Sequence, residues 1–290
     1  MILLLEALHR KSSIIPLYCK AEFFNIAVCN SDSEQCMSNN CPLCCDGKLL
    51  NGIMQQLDDI IEDEIPYYQW EADEEGFVAK VLHKDTVRKL FEIVKGQLTK
   101  FSWHVYIKDK QSTSYEEQKA LATMTDSTEC VIQCDFAENY TTIFQDEIQK
   151  VHWKRKQVTI YTVTIWHKNV LISKVIVSDS LDHDKKAVIA YTSILLEEVR
   201  LKFPDMRNVN IWTDGPSSQF KNKYVFAMLY SLQEKYEVTL SWNFFATSHG
   251  KGPCDALGGN IKRVVHQKVL AGSVQCTRFR QCSRNSRHKN

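Results

Sequence analysis

Residues 208–222 read NVNIWTDGPSSQFKN, and the single acid in them decides the fold. Asn208 to Trp212 have the strand-like pattern of a half-buried segment. The run stops at Asp214, and Gly215-Pro216 then forces the chain to turn. A polar, amphipathic segment follows. No Lys or Arg lies within six residues of Asp214 on either side, so no neighbouring cation accounts for a carboxylate at the end of a buried strand. A lone acid there caps a helix or shapes a turn. Anything more requires partners elsewhere in the chain.

Working outward, the pattern repeats. ECVIQCDF forms a strand ending near Asp135. VTIYTVTIW (158–166) and VLISKVIVS (170–178) form a hairpin around the polar turn His167-Lys168-Asn169. A helix over Lys185–Lys202 carries Val188, Tyr191, Leu195, Val199 and Leu201 on an apolar side, and Pro204 closes it. After the strand ending at Asp214 come a helix from about Ser218 to Lys235 and a strand VTLSWNFF (238–245). The glycine-rich SHGKGPCDALGGNIKR then leads into a last helix. Three strands, helix, strand, helix, strand, helix is the order of a ribonuclease H-like α/β fold. Its mixed sheet has strand order 3-2-1-4-5, with right-handed crossovers. Upstream, Val87, Leu90, Phe91, Val94, Leu98 and Phe101 recur at helical spacing over 84–101, and Tyr115–Met124 reads as a second helix.

That order places strands one and four side by side, so Asp135 and Asp214 end neighbouring strands. Two carboxylates held together repel unless a divalent cation lies between them. Asp255, ten residues past Phe245, supplies a third acid from the final helix. Three acids so placed can hold two Mg2+ or Mn2+ ions roughly 3.5–4 Å apart, the arrangement of in-line phosphoryl displacement. Each acid also has a plainer role. Asp135 can cap the turn to Glu138-Asn139, and Asp255 can be the N-cap of the last helix. Asp179, Asp182 and Asp184 follow strand three, where helix capping explains them. Singly, the plain roles win; as a strand-placed set, the acids read as a metal site.

Around them, His249 and Lys251 stand in the turn before Asp255, placed to contact a scissile phosphate or to orient Asp255. Gln219 and Asn222 follow Asp214, and Lys262 and Arg263 lie along the last helix; all four are candidate nucleic-acid contacts. HWKRKQ (152–157) sets Trp153 beside Lys154, Arg155 and Lys156, a basic-aromatic combination suited to a DNA strand. An ordinary solvated loop explains it equally well.

Cys29, Cys36, Cys41 and Cys44 follow a C-x6-C-x4-C-x2-C spacing, with Cys45 beside them. Zinc needs four convergent soft donors, and the C-x2-C pair supplies two from one turn, so a structural Zn2+ is expected. The 290-residue chain is 44% hydrophobic with a net charge of +1, which neither favours nor excludes a nucleic-acid partner. Local charge says more: nine acids and no Lys or Arg between Leu49 and Ala79, then eight Lys/Arg and no acid from Ala256 to Asn290. The apolar Met1–Leu5 is too short to span a bilayer and lacks the layout of a signal peptide. The chain therefore reads as intracellular and soluble, and its eleven cysteines do not read as a disulfide framework. Four regions are expected: a Cys-rich segment (1–50), a helical and acidic connection (51–125), the α/β core (126–270) and a basic, disordered tail (271–290).

Several blocks also resemble a family of transposon-derived animal proteins with a DDE/D-type transposase-like core: CDFAENY, QDEIQKVHW, SDSLDHDK, WTDGPSSQFKN and HGKGPCDALGGNIKR. CNSDSEQCMSNNCPLC resembles the cysteine-rich segment that precedes that core. The resemblance covers about residues 29 to 265; its motifs are specific in combination and weak singly. It implies Asp135, Asp214 and Asp255 as metal ligands, DNA (transposon ends or target) as partner, a homo-oligomer and a nuclear location. Glu commonly holds the third place in transposases, so Asp255 departs from the pattern. The chain opens close to the Cys cluster and ends soon after the last helix, as expected of a fragment, a relic copy or a host-recruited protein. Three functions compete: a metal-dependent DNA strand transferase or nuclease, an inactive DNA- or protein-binding relic, and a different nuclease on the same fold.

Overall fold

The computed structural model describes residues 1–15, 20–142, 156–246 and 252–272. The chain divides into two compact units, Met1–Lys110 and Gln111–Asn290. Among the described residues no helix is long and apolar enough to cross a membrane.

The first unit holds helices α1 (Ile2–Lys11), α2 (Lys20–Ala27), α3 (Glu34–Met37) and α4 (Lys48–Gln55). Strands β1 (Glu64–Ala72) and β2 (Val78–Thr86) follow, and then α5 (Val87–Ala122), whose residues from Gln111 on belong to the second unit. Leu4, Leu8, Phe23, Phe24 and Leu50 meet Val87, Leu90, Phe91, Val94 and Leu98 in one core, so the helical spacing read in 84–101 marks the buried face of α5. The two helical stretches expected at 84–101 and 115–124 are one 36-residue helix. No Pro, and no Gly after Gly96, interrupts Gln97–Met124, so nothing in the chain stops it.

Within the stretch expected as a helical, acidic connection, β1 and β2 pair antiparallel from Glu64↔Thr86 to Ala72↔Val78. Ile65 and Tyr67 point inward while Tyr68 and Trp70 face out. Asp73 Oδ1 closes the turn by accepting from Glu75 N (3.0 Å) and Phe77 N (2.8 Å), and Gly76 takes the φ of +86° that the turn requires.

The second unit is a five-stranded mixed sheet. Its strands are β3 (Glu129–Thr141), β4 (Gln157–His167), β5 (Val170–Ser178), β6 (Asn208–Thr213) and β7 (Thr239–Phe244), in the order β5-β4-β3-β6-β7. This is the expected order 3-2-1-4-5. β3 is antiparallel to β4 and parallel to β6; β6 is parallel to β7. Helices α6 (Lys185–Lys202), α7 (Lys223–Tyr236) and α8 (Pro253–Leu270) connect or follow the strands. Side chains alternate across the sheet. Ile132, Cys134, Tyr161 and Val163 pack with Val188, Leu195 and Val225 of α6 and α7. On the other face Val158 and Ile160 pack with Val265 and Val269 of α8, and Val131, Trp166 and Trp212 pack with Tyr115 of α5. Lys168 and Asn169, both at positive φ, make the tight β4–β5 turn.

Two boundaries differ from the sequence reading. β3 does not end near Asp135 but runs on to Thr141, with a register shift between Ala137 and Tyr140. Pairing with β4 sustains it, although pairing with β6 ends at Gln133↔Trp212. The helix expected from Ser218 begins at Lys223, because Asn222 holds the cap: its Oδ1 accepts from Tyr224 N and Val225 N, each at 3.2 Å.

Candidate functional site

Parallel register brings the two strand acids level. Gln133 pairs with Trp212, so two residues further along both strands stand Asp135 and Asp214, at the carboxyl end of the β3–β6 pair. Alternation puts both on the α8 face, with Gln133 and Trp212. Asp135 is half-buried, and its carbonyl accepts from Thr162 Oγ1 at 3.1 Å. Burial, then the charges of Asp214 and Asp255, push its carboxyl up to about 7. Asp214 is also half-buried, and its carboxyl is pushed up by burial and then by Asp255. Its Oδ1 is sealed from solvent and has no hydrogen-bond partner among the described residues. A buried acceptor left open is costly unless something outside the chain fills it.

Asp255 comes from the first turn of α8 and is exposed. Its Oδ2 accepts from Gly252 N at 3.3 Å, so it serves the helix start while acting electrostatically on both strand acids. The helix is held down beside it. Cys254, buried, donates from Sγ to Gln133 O at 3.2 Å. At Gly258 a Cβ would stand 3.0 Å from Ala137 Cβ, so a side chain here would press α8 and β3 apart by a few tenths of an ångström. Gln133 itself receives the Tyr115 hydroxyl at 2.7 Å. Cys254 and Gly258 are the positioning residues that sequence reasoning passed over. Their signal was adjacency to Asp255 and a Gly pair inside a helix. Of the other acids considered, Asp184 caps α6, accepting from Lys186 N (2.9 Å) and Ala187 N (3.0 Å).

The tightest grouping of metal-ligand atoms among the described residues lies in the first unit. The sulfurs of Cys29, Cys36, Cys41 and Cys44 all stand within 4.8 Å of one another. Tetrahedral thiolates about 2.3 Å from one ion are about 3.8 Å apart, so this set can hold a metal ion. All four are free thiols, Cys29 exposed and the others buried. Backbone N–H groups of Leu43 and Cys44 bring Cys41 down to about 7, while burial pushes Cys44 up to about 12. Asn39 and Asp46 fasten the loop by exchanging bonds of 3.0 and 2.7 Å. Cys45 stands aside, with its sulfur against Pro42 O. Among the described residues Asp135, Asp214 and Asp255 do not come together as such a group of metal-ligand atoms.

The remaining sequence candidates separate. Asn222 is spent on its cap and on donating to Ser217 O and Gln219 O, both 3.1 Å. Gln219 sits half-buried in the turn before α7. Lys262 faces Glu138 at 3.6 Å, and Arg263 donates to Asn260 Oδ1 at 2.9 Å. Trp153, Lys154, Arg155, His249, Lys251 and the tail from Ser273 lie outside the described residues.

Residues 111–285 match the family described as Domain of unknown function (DUF8701), and the chain belongs to that family. Residues 1–100 match a second description, Domain of unknown function (DUF8700). The two matches follow the division of the structure at Lys110/Gln111. No curated protein matches the chain.

Proposed function

We propose that the second unit is a ribonuclease H-like core of DDE/D-transposase descent that cleaves or joins DNA strands, using Asp135, Asp214 and Asp255. The observation that carries this reading is the placement of two half-buried acids just past the carboxyl end of the paired β3–β6 stretch, one with a buried oxygen unfilled among the described residues. In open α/β sheets, ligands bind at that edge. Carboxylate oxygens are hard donors, which suits Mg2+ or Mn2+. Such ions supply activation of the attacking oxygen and stabilisation of the leaving oxygen. The chain's own part is to hold the acids. β3 and β6 fix Asp135 and Asp214 in register, and α8, pinned through Cys254 and Gly258, delivers Asp255. Asp135, protonated below about 7, must ionise to serve as a ligand, so affinity for a divalent cation rises with pH through that range. In the first unit the four cysteines hold a structural Zn2+, and a DNA partner goes with a nuclear location.

The test is Mg2+- or Mn2+-dependent nicking or joining of DNA by the purified chain. Asp214→Asn and Asp135→Asn should each abolish it, together with Mn2+ binding. Activity that survives Asp214→Asn would refute the reading. A second reading, a non-catalytic DNA-binding relic, is favoured by one observation: Asp255 is exposed and engaged at its helix start. Mn2+ binding that depends on Asp135 but is unaffected by Asp255→Ala, with no strand cleavage, would select it.

A further inference from the structure

A patch of cations and rings lies along the same edge of the sheet as the acids. Two antiparallel steps make β5 run with β3, so β5 and β6 both finish at the edge where Asp135 and Asp214 stand. α6 and α7 therefore start there. Lys185 opens α6; Lys221 and Lys223 bracket the cap of α7. Among the described residues none of these three lysines meets a carboxylate. Each rests on an aromatic ring instead. Lys185 Nζ lies 4.4 Å and Lys223 Nζ 5.3 Å from the centre of the Tyr224 ring, and Lys221 Nζ lies 5.4 Å from that of Phe244. Tyr224 is 49% exposed and Phe226, edge-on to Phe244, 44%.

Half-exposed rings carrying ammonium groups that meet no carboxylate put a stacking face and a positive charge side by side. A surface lysine ordinarily finds an acid or water, and a tyrosine of this exposure gains little from packing. An unpaired nucleic-acid strand uses both: its bases have faces that stack on rings whatever their identity, and its phosphates take the cations. A duplex keeps its base faces to itself and would leave Tyr224 unused. An acidic peptide would engage the lysines but has no flat face for the ring.

We propose that Lys185, Lys221 and Lys223, with Tyr224, form a landing surface for a single-stranded segment of DNA beside the acid cluster. The proposal rests on the phosphodiester reading of that cluster, because it supplies the strand on which the acids act. Its binding step nevertheless needs neither the metal nor the chemistry.

The experiment uses the full chain in buffer without added Mg2+ or Mn2+. Anisotropy follows two labelled oligonucleotides of about 12 nucleotides, one of thymidines and one abasic at every position, so that phosphates are equal and only the base faces differ. Wild-type protein should hold the thymidine strand more tightly. Tyr224→Ala should weaken that strand about 5- to 100-fold and leave the abasic one unchanged, whereas Tyr224→Phe should restore wild-type binding. The triple change Lys185→Gln, Lys221→Gln, Lys223→Gln should flatten the slope of log affinity against log salt by about 2, since each lost phosphate contact on a single strand removes about 0.7. Equal binding of both strands by wild type, an unchanged salt slope in the triple variant, or displacement by polyglutamate as effective as by thymidine strand would overturn the proposal. Normal strand binding without any cleavage refutes only the catalytic reading. Cleavage lost in Asp214→Asn but with strand binding indifferent to Tyr224 and the lysines refutes only this surface.

Discussion

Replacing Asp135 with Asn removes a charge that the metal-free fold holds against its preference. The carboxyl stands at about 7 instead of 3.8, with burial as the largest cause and Asp214 and Asp255 adding to it. A rise of that size corresponds to at most about 4 kcal/mol against the ionised form. A half-buried side chain partly screened by water retains less, about 1–2 kcal/mol. The sign follows from linkage: the native state holds this proton more tightly than the unfolded chain does. The group's stabilising contribution is therefore complete below about pH 4 and is lost as pH rises towards 7. Asn resembles the protonated form at every pH. In buffer stripped of Mg2+ and Mn2+, urea unfolding followed by tryptophan fluorescence should show equal midpoints for wild type and Asp135→Asn near pH 4. At pH 8 the variant should be more stable by about 1–2 kcal/mol. Saturating Mn2+ should narrow or reverse that gap by stabilising wild type alone. A variant no more stable than wild type at pH 8 would show that neither burial nor the neighbouring acids oppose the Asp135 charge, and the metal-site argument would lose its physical basis.

Metal analysis of freshly reduced protein should find about one zinc per chain, lost in Cys41→Ser, and chelation should loosen the first unit while the second stays folded; protein without zinc removes that assignment. Gly258→Ala should cost about 1–3 kcal/mol in thermal or urea unfolding, because the added methyl meets Ala137 at 3.0 Å; a neutral result would mean α8 is free to lift. Asp184→Ala should cost about 1 kcal/mol, the usual effect of losing a cap, and leave Mn2+ binding intact. Loss of Mn2+ binding there would transfer the metal site to the wrong acids.

What was legible in the sequence was periodic. β5 and α6 fall at 170–178 and 185–202 as read, because each pairs one clear repeat with a firm stop. Element order made β3 and β6 parallel neighbours, and their register, Gln133 opposite Trp212, sets Asp135 and Asp214 level although β3 runs on to Thr141. The β1–β2 hairpin escaped because its outward face carries Glu64 and its tip Asp73 to Glu75, so acids on one side of a ribbon read as a solvated connection. The far half of β3 escaped for a related reason: Ala137-Glu138-Asn139 is polar and irregular, and it stays in the sheet because Ala137, Tyr140 and Thr141 on either side of the shift pair with β4. No pattern of residue types announces that Asp214 keeps a sealed oxygen without a partner among the described residues, or that Asn222 is consumed by its own helix. Both depend on what the third dimension brings or withholds.

The register shift in β3 gives that strand two separate constraints. Residues 131–133 are clamped between β4 and β6, whereas from Ala137 to Thr141 β4 is the one strand that pairs with β3. Asp135 sits just before the shift, so its facing is set by the clamped half. Insertions or deletions beyond Ala137 can lengthen, shorten or re-aim the projecting arm without rotating the acid out of line. Evolution can therefore refit the rim to a new partner while the centre stays in register, and divergence among related chains should concentrate on the far side of that single irregularity.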